Sequence, residues 1–319
     1  VTPPTRTGPA VPEPGPVGPS ELLPPAGPPT GGATPAEHRT PGQLFRRRFV
    51  RHKVALASIG VLVLLVVVCF GAALFAPYSP NHQDLTLGTV GPSWSHWFGT
   101  DELGRDQLTR ILYAGQISLK IGLAVALLST VVGTIVGAVA GYLGKATDQV
   151  LMRTTDLFLI VPAIAVLALA LKKFGHDDLT IIWVLAALFW MYVARVVRAQ
   201  VLSLKEQEFV EAARASGASG PRIVARHILP NCIGPIVVNA TLAVAAAIVT
   251  ESTLSFLGFG VQLPATSWGR MLSDAEGYVG TSQSYLLYFP GLAILLTVLA
   301  VNFLGDGLRD AFDPQSEPR

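Results

Sequence analysis

The sequence predicts an all-α integral membrane protein with about six transmembrane helices. Three observations predict it. Half of the 319 residues are hydrophobic and only 14% are charged, against roughly a quarter in soluble domains. The mean hydropathy is +0.49. The apolar residues also gather into runs long enough to cross a bilayer, which takes about 20 residues of helix. The net charge is only +2, which leaves no electrostatic footprint for a nucleic-acid partner. Cys69 and Cys232 stand far apart, beside apolar runs and outside any CxxC spacing. A disulfide framework and a cysteine-rich metal site are therefore excluded, and both thiols read as buried small hydrophobes.

Residues 1–43 are a separate material. Thirteen of the 24 prolines lie there, which removes donors and blocks helix, so a disordered, polyproline-leaning tail is expected. The stretch has no apolar core of the signal-peptide kind. A basic block follows, with Arg46, Arg47, Arg48, Arg51 and Lys53, and then an apolar run over 54–75. That run is about 33 Å long as a helix. Further runs over 117–143, 157–171, 179–199, 233–257 and 286–304 complete six spans, the third of them interrupted by Pro162. Residues 314–319 form a short C-terminal tail.

Basic residues before a first span hold that end in the cytoplasm. Six crossings then return the C-terminus to the same side, in a multi-pass protein of the cell membrane. This topology puts 17 Lys and Arg inside and 6 outside, in agreement with the positive-inside rule. The second span carries Gly133, Gly137 and Gly141 at i, i+4 and i+8. Such a stripe permits close backbone packing on another helix, of this chain or of a second one.

No HExxH, GxSxG or Walker A pattern occurs. The six histidines lack ligand spacing, and the spans hold no proton-relay series of carboxylates. The chain reads as a non-enzyme without metal or cofactor of its own, so energy for any work must come from a partner.

Between the fourth and fifth spans lies a polar stretch, residues 204–231. Glu206 to Ser216 lacks Gly and Pro and is rich in helix formers, with Phe209, Val210 and Ala213 as a modest apolar face. Gly217 stands where a helix stops, and Pro221 where a second one begins, to run to Leu229. An amphipathic helix lying on the bilayer is disfavoured by Glu206, Glu208 and Glu211, which anionic lipid repels.

Glu211, Ala212, Ala213, Gly217, Leu229 and Pro230, at this spacing and between two spans, resemble the EAA loop of ABC importer permeases. His227 stands where the general pattern has isoleucine, a mild departure. Residues 44–313 as a whole resemble the second permease of dipeptide, oligopeptide and nickel importers. The likeness includes the segment with Gly99, Thr100, Asp101, Gly104, Arg105, Asp106 and Arg110, the run Glu251 to Gly260, Ser267 to Leu272, and Asn302 to Asp310.

The resemblance implies a permease domain working by alternating access. Its partners would be a second permease, two cytoplasmic ATP-binding subunits that hold the ATP and magnesium, and an extracytoplasmic solute-binding protein. The loop would dock on an ATPase. Peptides are the implied solute, nickel or another small solute the alternative; an ATPase-independent secondary transporter would need ion ligands or broken-helix repeats.

The Gly99 segment falls outside the membrane. Its alternating charges read as a scaffold of internal ion pairs, or as a contact for the binding protein. A helix over 100–110 capped by Thr100 is expected, with Asp101 and Arg105 as a pair whose joint reversal restores expression. Glu251 is expected near the outer face, hydrogen-bonded to nearby Ser or Thr, with a pathway contact as the alternative. Asp306 and Arg309 are spaced as an ion pair.

Overall fold

The computed structural model describes residues 41–313; the tails over 1–40 and 314–319 lie outside the described residues. The described residues are helix, turn and loop, with one isolated bridge between Thr100 and Asp106. Among the described residues, five helices are long and apolar enough to cross a membrane. A sixth crossing exists if one bent pair counts as a span.

α1 (Pro41–Arg51) runs over the basic block, so residues 41–43 belong to a helix and not to the tail. Proline is tolerated in a first turn, where its missing N–H has no partner to lose. The first span is α2 (Lys53–Phe70), and after a break at Gly71 the short α3 (Ala72–Phe75) completes the run expected over 54–75. α4 (Gln107–Leu143) starts ten residues earlier than expected. The reason is its cap. The Asp106 carboxylate accepts the Thr109 N–H at 2.8 Å and its hydroxyl at 2.8 Å, as an N-cap does. No helix covers 100–106. Thr100 instead accepts the Val90 N–H through its hydroxyl oxygen at 2.8 Å and donates to the Gly88 carbonyl at 2.7 Å.

The third run is broken. α5 (Lys145–Ile160) and α6 (Ala163–Phe174) meet at Val161–Pro162 with a bend of 85°. Proline disfavours helical geometry in the residue before it, which fits the extended Val161, ψ 134°. α7 (Asp178–Leu204) follows. α8 (Glu208–Ala215) and α9 (Gly220–Ile223) form the polar loop. A π turn over Val224–Ile228 and a 3-10 turn over Leu229–Cys232 then lead into α10 (Ile233–Phe256). Gly220–Phe256 therefore behaves as one long helix, and the loop's second helix is the start of the fifth span. α11 (Trp268–Asp274) precedes α12 (Tyr285–Phe312), which outruns its expected end at residue 304. Among the described residues Asp306 and Arg309 form no ion pair; Asp310 instead lies 3.6 Å from His52 Nε2.

The core is built on α4 against α7, and the glycine stripe makes it possible. A methyl group on Gly133 would lie 2.5 Å from the Trp190 carbonyl oxygen and 2.6 Å from Val193 Cβ. On Gly137 it would lie 2.5 Å from the Ala194 carbonyl oxygen and 2.9 Å from Val197 Cβ; on Gly141, 2.9 Å from Val201 Cβ. Val193, Val197 and Val201 repeat every four residues and fill the glycine groove. In lipid this van der Waals fit replaces the hydrophobic drive of water-soluble cores. The stripe's partner is thus within the chain. Asp148 of α5 takes both Nε and Nη2 of Arg198, and Asp156 takes Arg195, which fastens α5 to the same end of α7.

Candidate functional site

The polar loop is a rigid two-helix clip. α8 carries Glu208 and Glu211 in its first turn and Arg214 in its last, matching the helix dipole. It ends in a Schellman motif: the Ala218 N–H bonds to the Ala213 carbonyl at 3.1 Å and the Gly217 N–H to the Arg214 carbonyl at 3.0 Å. Gly217 has φ +79°, the left-handed region where a side chain costs roughly 1–2 kcal/mol.

One face of the clip is locked. Val210, Ile223, Ile228 and Cys232 are buried against Ala138 of α4 and Val193, Val197 and Val201 of α7. The other face is open: Glu208, Glu211, Ala212 and Ala215 are exposed. Phe209, expected on the apolar face, is instead 40% exposed, because α8 turns Val210 and Ala213 inward. Of the six loop residues singled out in the sequence, Glu211, Ala212, Gly217 and Pro230 are exposed and Ala213 and Leu229 half-buried. Pro230 supplies no N–H. The Leu229 N–H just before it reaches back five residues to Val224, the widened turn found at functional breaks in helices.

At the other end, Asp101 is the hub of a charge cluster. Its carboxylate accepts the backbone N–H of Leu103 at 2.9 Å and of Arg105 at 3.0 Å, Arg105 Nε at 2.7 Å and Arg110 Nη1 at 2.7 Å. Arg110, 7% exposed, also donates to Asp274 of α11 at 3.2 Å. Asp106 holds His96 Nδ1 at 3.0 Å while capping α4. Gly99 and Gly104 both take positive φ in the turn around Asp101. Tyr278 donates to Glu102, and that carboxylate pushes the phenol up to about 12. Through Arg110 these bonds tie the segment and α4 to α11. Asp101 is more than a partner of Arg105, so the joint reversal Asp101→Arg/Arg105→Asp is expected to stay as poorly expressed as Asp101→Arg alone. An arginine at 101 would face Arg110 and two backbone donors; membrane level by immunoblot checks this.

Glu251 is fully buried. It accepts Ser255 Oγ at 2.7 Å, and Ser118 Oγ of α4 lies 3.5 Å away. Ser255 in turn lies 3.2 Å from Ser267 Oγ, the cap of α11, and the Trp268 N–H donates to Ser118 at 3.2 Å. The result is a node of serines joining α4, α10 and α11, as the hydrogen-bonded reading expects. Glu251→Gln keeps an acceptor for Ser255 and is expected to leave transport within a few-fold at normal membrane level. Ser255 and Ser267 lie within the runs Glu251 to Gly260 and Ser267 to Leu272, but the roles of Ser118, Ser255 and Ser267 need the packing of three distant helices.

Residues 133–317 match the family described as binding-protein-dependent transport system inner membrane component. The chain belongs to this family. Residues 40–89 match in addition the N-terminal transmembrane domain of oligopeptide transport permease C. As a member, the chain is a membrane-spanning permease subunit of an ABC importer and not an enzyme.

Two curated relatives illustrate the likeness. The oligopeptide transport system permease protein OppC of Escherichia coli is 43% identical over 281 residues, 88% of this chain and 93% of that one. The dipeptide transport system permease protein DppC of Bacillus subtilis is 42% identical over 269 residues, 84% of each. The fold of this importer permease also matches a solved inward-facing conformation of the MetNI methionine ABC transporter. The TM-score is 0.53 at 18% identity, over 64% of this chain and 96% of that one.

Proposed function

We propose that this permease carries di- and oligopeptides inward, with the open face of α8 docked on a cytoplasmic ATPase subunit. The relatives named as dipeptide and oligopeptide permeases support the solute. The observation that carries the coupling is the division of the clip into two faces. One is locked onto α4 and α7, while the exposed one offers Ala212 and Ala215, whose small side chains permit close approach. A push on that face reaches α10 through the Gly217 turn and the helical run over Gly220–Phe256 that ends in α10.

In this reading residues 44–313 form the permease domain, and both termini lie in the cytoplasm with the Arg-rich ends of the spans. A second permease completes the pathway. Two ATPases bind ATP and magnesium, and an extracytoplasmic solute-binding protein delivers peptide to the end that carries Asp101.

The test is a single cysteine at Ala212. Cys69 and Cys232 are buried, so a short bifunctional reagent reacts at the new thiol. An adduct with the ATPase subunit is expected, together with ATP-dependent uptake of labelled peptide. Uptake without any adduct removes the coupling role, and uptake of another solute but not of peptide removes the solute.

A further inference from the structure

The outward face of α1 is not used by the transport reading. α1 is pinned along one side to the end of α12. Phe45 lies 4.4 Å from Phe312, ring centre to ring centre, Arg48 donates to the Asp313 carbonyl, and His52 approaches Asp310. At about 100° per residue, Phe45, Arg48, Phe49 and His52 share that side. Arg46, Arg47, Val50 and Arg51 fall on the opposite one, and all four are exposed.

Among the described residues, none of Arg46, Arg47, Arg51 and Lys53 has an ion-pair partner. α1 contains no acidic residue. Apolar Leu44, Val50 and Val54 are 40%, 56% and 49% exposed among these cations. Only His52 separates α1 from the first span, so this face is held where hydrocarbon gives way to headgroups.

We propose that the outward face of α1 binds anionic phospholipid headgroups. Charge and position select this occupant. An interfacial helix buries scattered apolar side chains at the acyl boundary while its arginines reach phosphate oxygens. Arginine's planar fork suits phosphate in two-point contact. A protein partner would have to cover Leu44, Val50 and Val54 in the plane the lipids already occupy.

The complete importer, purified from bilayers of mixed phosphatidylglycerol and phosphatidylcholine, provides the test by native mass spectrometry. Wild type is expected to retain phosphatidylglycerol in excess over phosphatidylcholine. The variant Arg46→Gln/Arg47→Gln/Arg51→Gln is expected to lose that excess, and Arg153→Gln, another exposed arginine, to keep it. The charge-keeping Arg46→Lys/Arg47→Lys/Arg51→Lys chain is expected to retain it as well. If the glutamine variant fails to assemble, washing wild type in high salt replaces it: loss of the excess supports lipid binding, and persistence overturns it. An unchanged excess in the glutamine variant overturns the proposal. So does a photo-cross-linker at Arg47 that captures the ATPase subunit instead of lipid.

Discussion

Gly137→Leu is expected to remove the permease from the membrane fraction. The groove between α4 and α7 has no space for even one carbon at this position, since a methyl group meets the Ala194 carbonyl oxygen at 2.5 Å and Val197 Cβ at 2.9 Å. Both are parts of α7 that cannot swing aside as a flexible side-chain tip does. Overpacking a close-fitted contact costs about 1–3 kcal/mol, and leucine adds three further carbons to the methyl. The helices must separate, and with them the valine stripe that also seats Val210 and Ile223 of the clip. Gly137→Ala is expected to show the same loss in weaker form, as a lowered thermal midpoint of the purified complex. Gly60 supplies the control: nothing lies within 4 Å of a methyl there, so Gly60→Ala should leave level and midpoint unchanged. A normal level of Gly137→Leu would mean that α4 and α7 do not pack as described.

The second large effect is functional. Ala212→Arg places a long cation on the exposed face of α8 without touching the buried one. Membrane level and thermal midpoint should match wild type, while ATP-driven peptide uptake falls by at least about tenfold, the equivalent of about 1.4 kcal/mol. Gly217→Val should lose uptake by a different route, since the Schellman turn at φ +79° must relax and release the end of α8. Val210→Asp separates the two classes, because it buries a charge against α7 and should lower the level itself. Ala212→Arg with undiminished uptake would remove α8 as the docking element.

Much of this was legible in the sequence. Hydropathy fixes the spans wherever twenty apolar residues run together, and the glycine spacing announces a packing face. Gly217 and Pro221 mark the ends of the clip through backbone conformation alone. Helix ends were less legible. α4 begins at Gln107 because the Asp106 cap wins over Thr100, whose hydroxyl is taken by Val90 and Gly88; that competition depends on a loop ten residues away. The inward turn of Val210 and outward turn of Phe209 depend on where α7 lies. The serine node around Glu251 draws on α4, α10 and α11 at once, so no local pattern reveals it.

The continuous helical run from Gly220 to Phe256, α-helix apart from one π and one 3-10 turn, has a mechanical consequence. At 1.5 Å per residue it is a rod of roughly 55 Å, longer than the bilayer's hydrocarbon is thick. It is tied to α4 near both ends, through Ile223 and Ile228 at the clip and through the serines around Glu251. A force that tilts the clip is therefore carried along the same rod to the Glu251 end, where it meets α4 and α11. The widened turn before Pro230 lies between the two ends, so stiffening that turn would alter how faithfully one end follows the other.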